Sequence, residues 1–131
     1  MKYLIITMIL ITSLFGNFDW PSDYDEALES AKKEKKDIYL MIGSANCPWC
    51  EKFENTVLED KAVYKKLTKN YVPLYLSRDI DDIPEQFKTS PIPRHYFIDE
   101  NGEIIEGLMG YRGIPCFNNI IDDVNELRKR K

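Results

Sequence analysis

The sequence predicts one α/β domain, a mixed sheet of four to five strands flanked by helices. Three observations predict it. The nearly continuous apolar run Ile38-Tyr39-Leu40-Met41-Ile42 reads as a strand buried on both faces. Helical patterns separate it from a second strand-like run, Tyr71 to Ser77, which makes a strand–helix–strand order. Finally, His95 to Ile98 and Ile104 to Leu108 flank Asp99-Glu100-Asn101-Gly102. Asn-Gly between two such runs signals an antiparallel hairpin, because both residues accept positive φ. A chain of 131 residues usually forms one domain, and one of this size can bury a core without disulfide staples.

The elements follow in order. Lys2 is positive, and Tyr3 to Phe15 is apolar except for Thr7, Thr12 and Ser13. That run fits a signal-peptide h-region and falls short of the roughly 20 residues that span a bilayer. Residues 1–16 are therefore read as a signal peptide with Gly16 near the cleavage point, and 17–131 as the domain; an uncleaved anchor or a buried first strand is the competing reading. Ser22, with Asp25 three residues on, resembles a capping box for a helix from Asp23 to near Lys36. Cys47 to Thr56 reads as helix with Pro48 tolerated in its first turn. Asp60 to Lys69 sets Ala62, Val63 and Leu67 opposite its lysines. Asp79 to Lys88 is a polar loop with a short helical turn after Pro84. Phe117 to Arg130 closes the chain, with Ile120, Ile121, Val124 and Leu127 at helical spacing.

Composition excludes little. Apolar residues at 44% and charged residues at 31% are ordinary for a soluble domain. A net charge of -4 argues against nucleic acid as the main partner. A monomer is expected.

The chemistry lies in Cys47-Pro48-Trp49-Cys50. Two cysteines three apart at a helix start can close a small disulfide ring, and the first sits where free backbone N–H groups and the helix dipole favour a thiolate. The thiolate attacks a disulfide sulfur and the second thiol resolves the mixed disulfide. Cys47 is thus the expected nucleophile and Cys50 the resolving thiol. Pro48 stiffens the turn and Trp49 offers an apolar surface beside the sulfur. Other uses of the pair compete. Zinc needs about four ligands, and Cys47, Cys50, Cys116 and the single histidine, His95, form a scattered set. Haem attachment needs a histidine after the second cysteine, and residue 51 is Glu. A static bridge in an exported protein stays open. No metal or cofactor is expected.

From Lys36 to Tyr111 the chain resembles the thioredoxin superfamily, most closely its small exported members. The resemblance rests on two segments. Ile38 to Phe53 looks like the first central strand, active-site loop and following helix, and Ser90-Pro91-Ile92-Pro93-Arg94-His95-Tyr96-Phe97-Ile98-Asp99 looks like the X-Pro signature before a strand. The hairpin and Gly110 follow in the family's order. The resemblance implies a cis Pro93 facing the disulfide, an Ile92 backbone that pairs with an extended substrate segment, and a groove lined by Asn46, Trp49, Ile92, Pro93 and Gly110. Two departures matter. Met41 stands where many relatives carry a buried Asp that serves the resolving thiol, and Glu51 and Glu54 in the next helix read as solvated residues. Arg94 follows the proline where a small or polar residue is usual. If it reaches Cys47 it tunes the thiolate; otherwise it is a strand-edge cation. His95 should point to the other face of its strand as a satisfied structural histidine. Cys116 is expected to be buried and inert.

The expected function is thiol–disulfide exchange on exported proteins, serving protein thiols and disulfides and drawing on a redox partner such as a membrane electron donor. Trp49 is neutral and donates a single N–H, which leans the direction toward reduction. The alternative is a binding module of the same fold with a static Cys47–Cys50 bridge.

Overall fold

The computed structural model describes residues 20–88 and 91–131. The expected signal peptide, most of the linker after it, and Ser90 lie outside the described residues. Four strands form one sheet in the order β2-β1-β3-β4. The elements are α1 (Tyr24–Glu34), β1 (Asp37–Gly43), α2 (Pro48–Phe53), a π-helical turn (Glu54–Leu58), α3 (Lys61–Asn70), β2 (Tyr71–Ser77), a 3₁₀ turn (Glu85–Phe87), β3 (Arg94–Ile98), β4 (Ile104–Met109) and α4 (Ile114–Lys129). β1 pairs parallel with β2 and antiparallel with β3, and β3 pairs antiparallel with β4. The sheet is therefore mixed, at the four-stranded end of the expected range.

Alternation along β1 divides the core in two. Tyr39 and Met41 face Cys50, Phe53, Val57, Leu67, Phe117 and Ile121. Ile38, Leu40 and Ile42 face Ala27 and Ala31 of α1 together with Phe87 and Tyr96. A strand with helices on both faces must be apolar at successive positions, and every residue of β1 after Asp37 is buried. On α1 the buried positions are both alanine, so that helix lies close to the sheet.

Local details depart from expectation for identifiable reasons. The cap of α1 is Asp23, whose carboxylate accepts from Glu26 N–H at 2.8 Å. Glu26 reaches back to Ser22, accepting from its N–H and hydroxyl at 2.7 Å. The box is thus Asp23/Glu26, one residue later than Ser22/Asp25. The helix ends at Glu34 because Lys35 turns left-handed at φ 55°. In the hairpin only Gly102 has positive φ, 86°. The Asp99 carboxylate accepts from both Asn101 and Glu103 N–H at 2.9 Å, which holds a longer loop in place of a two-residue Asn-Gly turn. α4 begins three residues before Phe117, with Pro115 in its first turn, where a missing N–H costs nothing.

Candidate active site

Cys47 caps the N-terminus of α2, and its sulfur accepts from Cys50 N–H at 3.1 Å. The two cysteines form a disulfide, with Cα atoms 5.2 Å apart. Their environments differ. Cys47 is half-buried at the surface, while Cys50 is only 1% exposed and packs in the core with Met41 and Phe53. The loop before the pair is fixed from below, because Ala45 N–H donates to Asp79 Oδ2 at 2.8 Å. Asn46 and Pro48 are exposed, and Trp49 is 56% exposed.

The sheet register brings the second segment to the same end. Ile42 pairs with Arg94, so Pro93, one residue earlier, lies beside the start of the cysteine loop. The Ile92–Pro93 peptide is cis. Arg94 pairs with Met109, and Gly110 N–H donates to Pro93 O at 2.8 Å. Gly110 has φ 83°, and a side chain there would meet nothing within 4 Å. Cys47, Ile92, Pro93 and Gly110 thus converge on one rim, although the sequence separates them widely.

An aromatic flank escaped sequence reasoning. Tyr111 lies 5.9 Å from the Trp49 ring and edge-on to Phe53 at 6.3 Å. Lys52 Nζ sits 4.9 Å from the Trp49 ring centre and 5.0 Å from that of Tyr111, within range of cation–π attraction. The Thr56 hydroxyl donates to Lys52 O at 2.6 Å. Its proton is therefore committed, and at 3.1 Å the Tyr111 hydroxyl is the donor to Thr56 Oγ1. The i, i+3 spacing of Trp49 and Lys52 was a usable signal; nothing local announced Tyr111.

Below the cysteines the polar groups are few. Met41 is fully buried, as is His95, its partner across the strands. His95 Nε2 lies 3.0 Å from Gly110 O and its Nδ1 2.7 Å from the Tyr39 hydroxyl. Both nitrogens are partnered, as expected of a structural histidine. Burial first, then the charges of Arg112 and Arg94, lowers its pKa to about 4 against the bond to Gly110. Burial, then the charge of Glu54, holds the Tyr39 phenol well above its usual range. Glu51 is solvated as expected; Glu54 is half-buried, and burial followed by the charges of Glu51 and Glu59 raises its carboxyl.

Of the two readings left open for Arg94, the geometry favours the one away from Cys47, and the expectation for Cys116 needs correcting. Arg94 carries its guanidinium 5.2 Å from the Tyr96 ring. Tyr96 belongs to the α1 face of the sheet, whereas Cys47 packs on the other, so the arginine is held by an aromatic ring instead of by the Cys47 sulfur. Cys116 is a free, exposed thiol. Because α4 starts early, its first turn directs Phe117 inward and Cys116 outward.

Among the described residues, no group of three His, Cys, Asp or Glu side chains is placed to hold a metal ion. A concavity lined by Lys36, Asp37, Asn70, Asp99 and Arg128 lies at the other end of the sheet.

Comparison with known proteins agrees with this geometry. The thioredoxin-like domain family matches over residues 24–125. Disulfide bond reductase DsbH of Chlamydia pneumoniae is 30% identical over 101 residues, covering 67% of this chain and 60% of that protein. Spermatogenesis-associated protein 20 of Mus musculus is 29% identical over 70 residues, which is 53% of this chain and only 9% of the relative. The solved thioredoxin from Thermus thermophilus superposes with a TM-score of 0.68 at 25% identity, covering 81% of this chain and 85% of the other. The family match runs from the first helix into the last, across every strand of the sheet, and the chain accordingly belongs to the thioredoxin-like domain family.

Proposed function

We propose that the protein is an exported thiol–disulfide oxidoreductase that reduces disulfides in other proteins. The observation that carries this reading is the asymmetry of the pair. Cys47 is reachable and capped by the Cys50 N–H, whereas Cys50 is buried behind it. In the reduced protein the Cys47 thiolate attacks one sulfur of a substrate disulfide, and the substrate S–S bond breaks. The first substrate sulfur leaves as a thiolate and takes up a proton, leaving a mixed disulfide on Cys47. Cys50 then loses its proton and attacks the Cys47 sulfur. The mixed disulfide breaks, the second substrate thiol departs, and Cys47–Cys50 closes. Two electrons have passed from the dithiol to the substrate, and a dithiol donor, such as a membrane electron carrier, restores them.

The groove reading assigns Asn46, Trp49, Ile92, Pro93 and Gly110 to substrate contact, with the backbone of Ile92 pairing to an extended segment. Reduction as the direction is supported by the neutral Trp49 between the cysteines and by the name of the Chlamydia relative. Export is supported by the charged start and apolar run of residues 2–15.

Turnover of insulin disulfides with a chemical reductant tests the assignment. The wild type should be active and Cys47→Ser inactive. Full activity in Cys47→Ser removes the nucleophile, and an inactive wild type under several donors favours a binding module with a static bridge. Equilibration with glutathione buffers tests the direction: a potential near that of the strongly oxidising dithiol oxidases, about -120 mV, overturns reduction.

A further inference from the structure

His95 takes no part in the exchange chemistry, yet its hydrogen bonds reach the groove. A carbonyl oxygen only accepts, so the 3.0 Å bond to Gly110 O requires the proton on Nε2. The lone pair of Nδ1 then accepts from the Tyr39 hydroxyl at 2.7 Å. One tautomer satisfies every partner. The ring cannot turn to another, since Phe53 packs edge-on at 4.7 Å, Tyr39 stacks at 6.0 Å and Phe117 lies at 6.4 Å.

Gly110 is gripped from both sides. Its N–H goes to Pro93 O and its C=O to His95, two residues along the chain from Pro93. Its N–H is therefore committed within the fold and its C=O already carries one bond, and a side chain at this position would meet only open space. At φ 83° that backbone conformation needs the grip, because a glycine pays more conformational entropy than any other residue to hold one shape.

We propose that His95, oriented by Tyr39, is a positioning residue of the substrate groove, holding the Gly110 turn against Pro93 so that the rim facing Cys47 keeps its shape. This rests on the groove reading given above. Its consequence is selective: a protein disulfide that must lie along the rim depends on the grip, whereas a small disulfide that meets only Cys47 depends on it less.

The experiment compares the wild type with His95→Phe, which removes both bonds, with Tyr39→Phe, which removes the orienting hydroxyl alone, and with His95→Gln, which can still donate to Gly110. Each is assayed on insulin and on 5,5′-dithiobis(2-nitrobenzoate), and amide exchange is followed at Gly110 and, as a core reference, at Leu40. Loss of one positioning hydrogen bond should lower the ratio of insulin to small-disulfide kcat/KM about fivefold in His95→Phe, with partial rescue in His95→Gln. Gly110 exchange should quicken by a similar factor relative to Leu40. If His95→Phe does not fold, Tyr39→Phe carries the same comparison. Parallel losses on both substrates, or an unchanged Gly110 amide in a folded variant, overturn the proposal. A wild type that turns over neither disulfide refutes the oxidoreductase reading instead, and the Gly110 amide still decides whether His95 holds the turn.

Discussion

Mild acid should weaken the fold through His95, and the size of the effect can be worked out. In an unfolded chain this histidine has a pKa of 6.5; buried in the folded protein, it is lowered to about 4. Between those values the unfolded state binds a proton that the folded state refuses, so stability falls as pH falls. Above about pH 7 the full stability is present, and below about pH 4 both states are protonated and the loss is complete. Each pH unit inside the window costs up to about 1.4 kcal/mol, which gives roughly 2 kcal/mol between pH 7.5 and 5 and about 3 kcal/mol in all. Glu54, whose carboxyl is raised, works in the opposite direction at the acid end, so the measurement must be differential. Urea unfolding of the wild type and of His95→Gln at matched pH supplies it. With typical slopes of 1–3 kcal/mol/M, the wild-type midpoint should drop by about 1–2 M from pH 7.5 to 5. The variant should lose much less. Equal losses in both proteins would refute the assignment of the acid sensitivity to His95.

Other outcomes follow from the same geometry. In the oxidised native protein a maleimide should label one thiol, Cys116, without denaturant; mass spectrometry showing no adduct would contradict its exposure. Gly43→Ala puts a Cβ 2.6 Å from the Tyr75 hydroxyl oxygen, and the displaced ring should cost about 1–3 kcal/mol in urea unfolding. Asp37→Asn breaks the part-buried pair with Arg128 and should destabilise by about 1–3 kcal/mol while leaving insulin turnover intact, because it lies at the far end of β1 from Cys47. Asp79→Ala frees the Ala45 N–H and should lower turnover more than it lowers the urea midpoint.

Much of the architecture was legible in the sequence because apolar patterning is a local property. Tyr71 to Ser77 matches β2 at both ends, and Ile38 to Ile42 falls inside β1. Harder to read were choices between residues of similar chemistry. Ser22 and Asp23 are equally good caps, and the structure uses the second. The π-helical turn at Glu54–Leu58 was invisible because one of its buried residues, Val57, follows Phe53 at a spacing that an α-helix also allows. Cys116 was misplaced because its direction depends on where α4 starts, and Pro115 disguised that start. At the site, the cysteine pair and Pro93 were legible from motif and order. The Tyr39–His95–Gly110 chain was not, since it requires β1, β3 and the turn after β4 in register, and no window of sequence contains all three.

The central place of β1 bears on how such a chain comes into being from its N-terminus. β1 is complete as a strand only when β2 and then β3 have joined it, and both lie downstream of the cysteines. Cys47 and Cys50 are only three residues apart, whereas Cys116 emerges much later. The correct bridge can therefore form while its only rival is still unsynthesised. At that stage, however, the dithiol is a bare peptide without a facing surface. The surface around Pro93 is completed last, when the hairpin brings Gly110 to it.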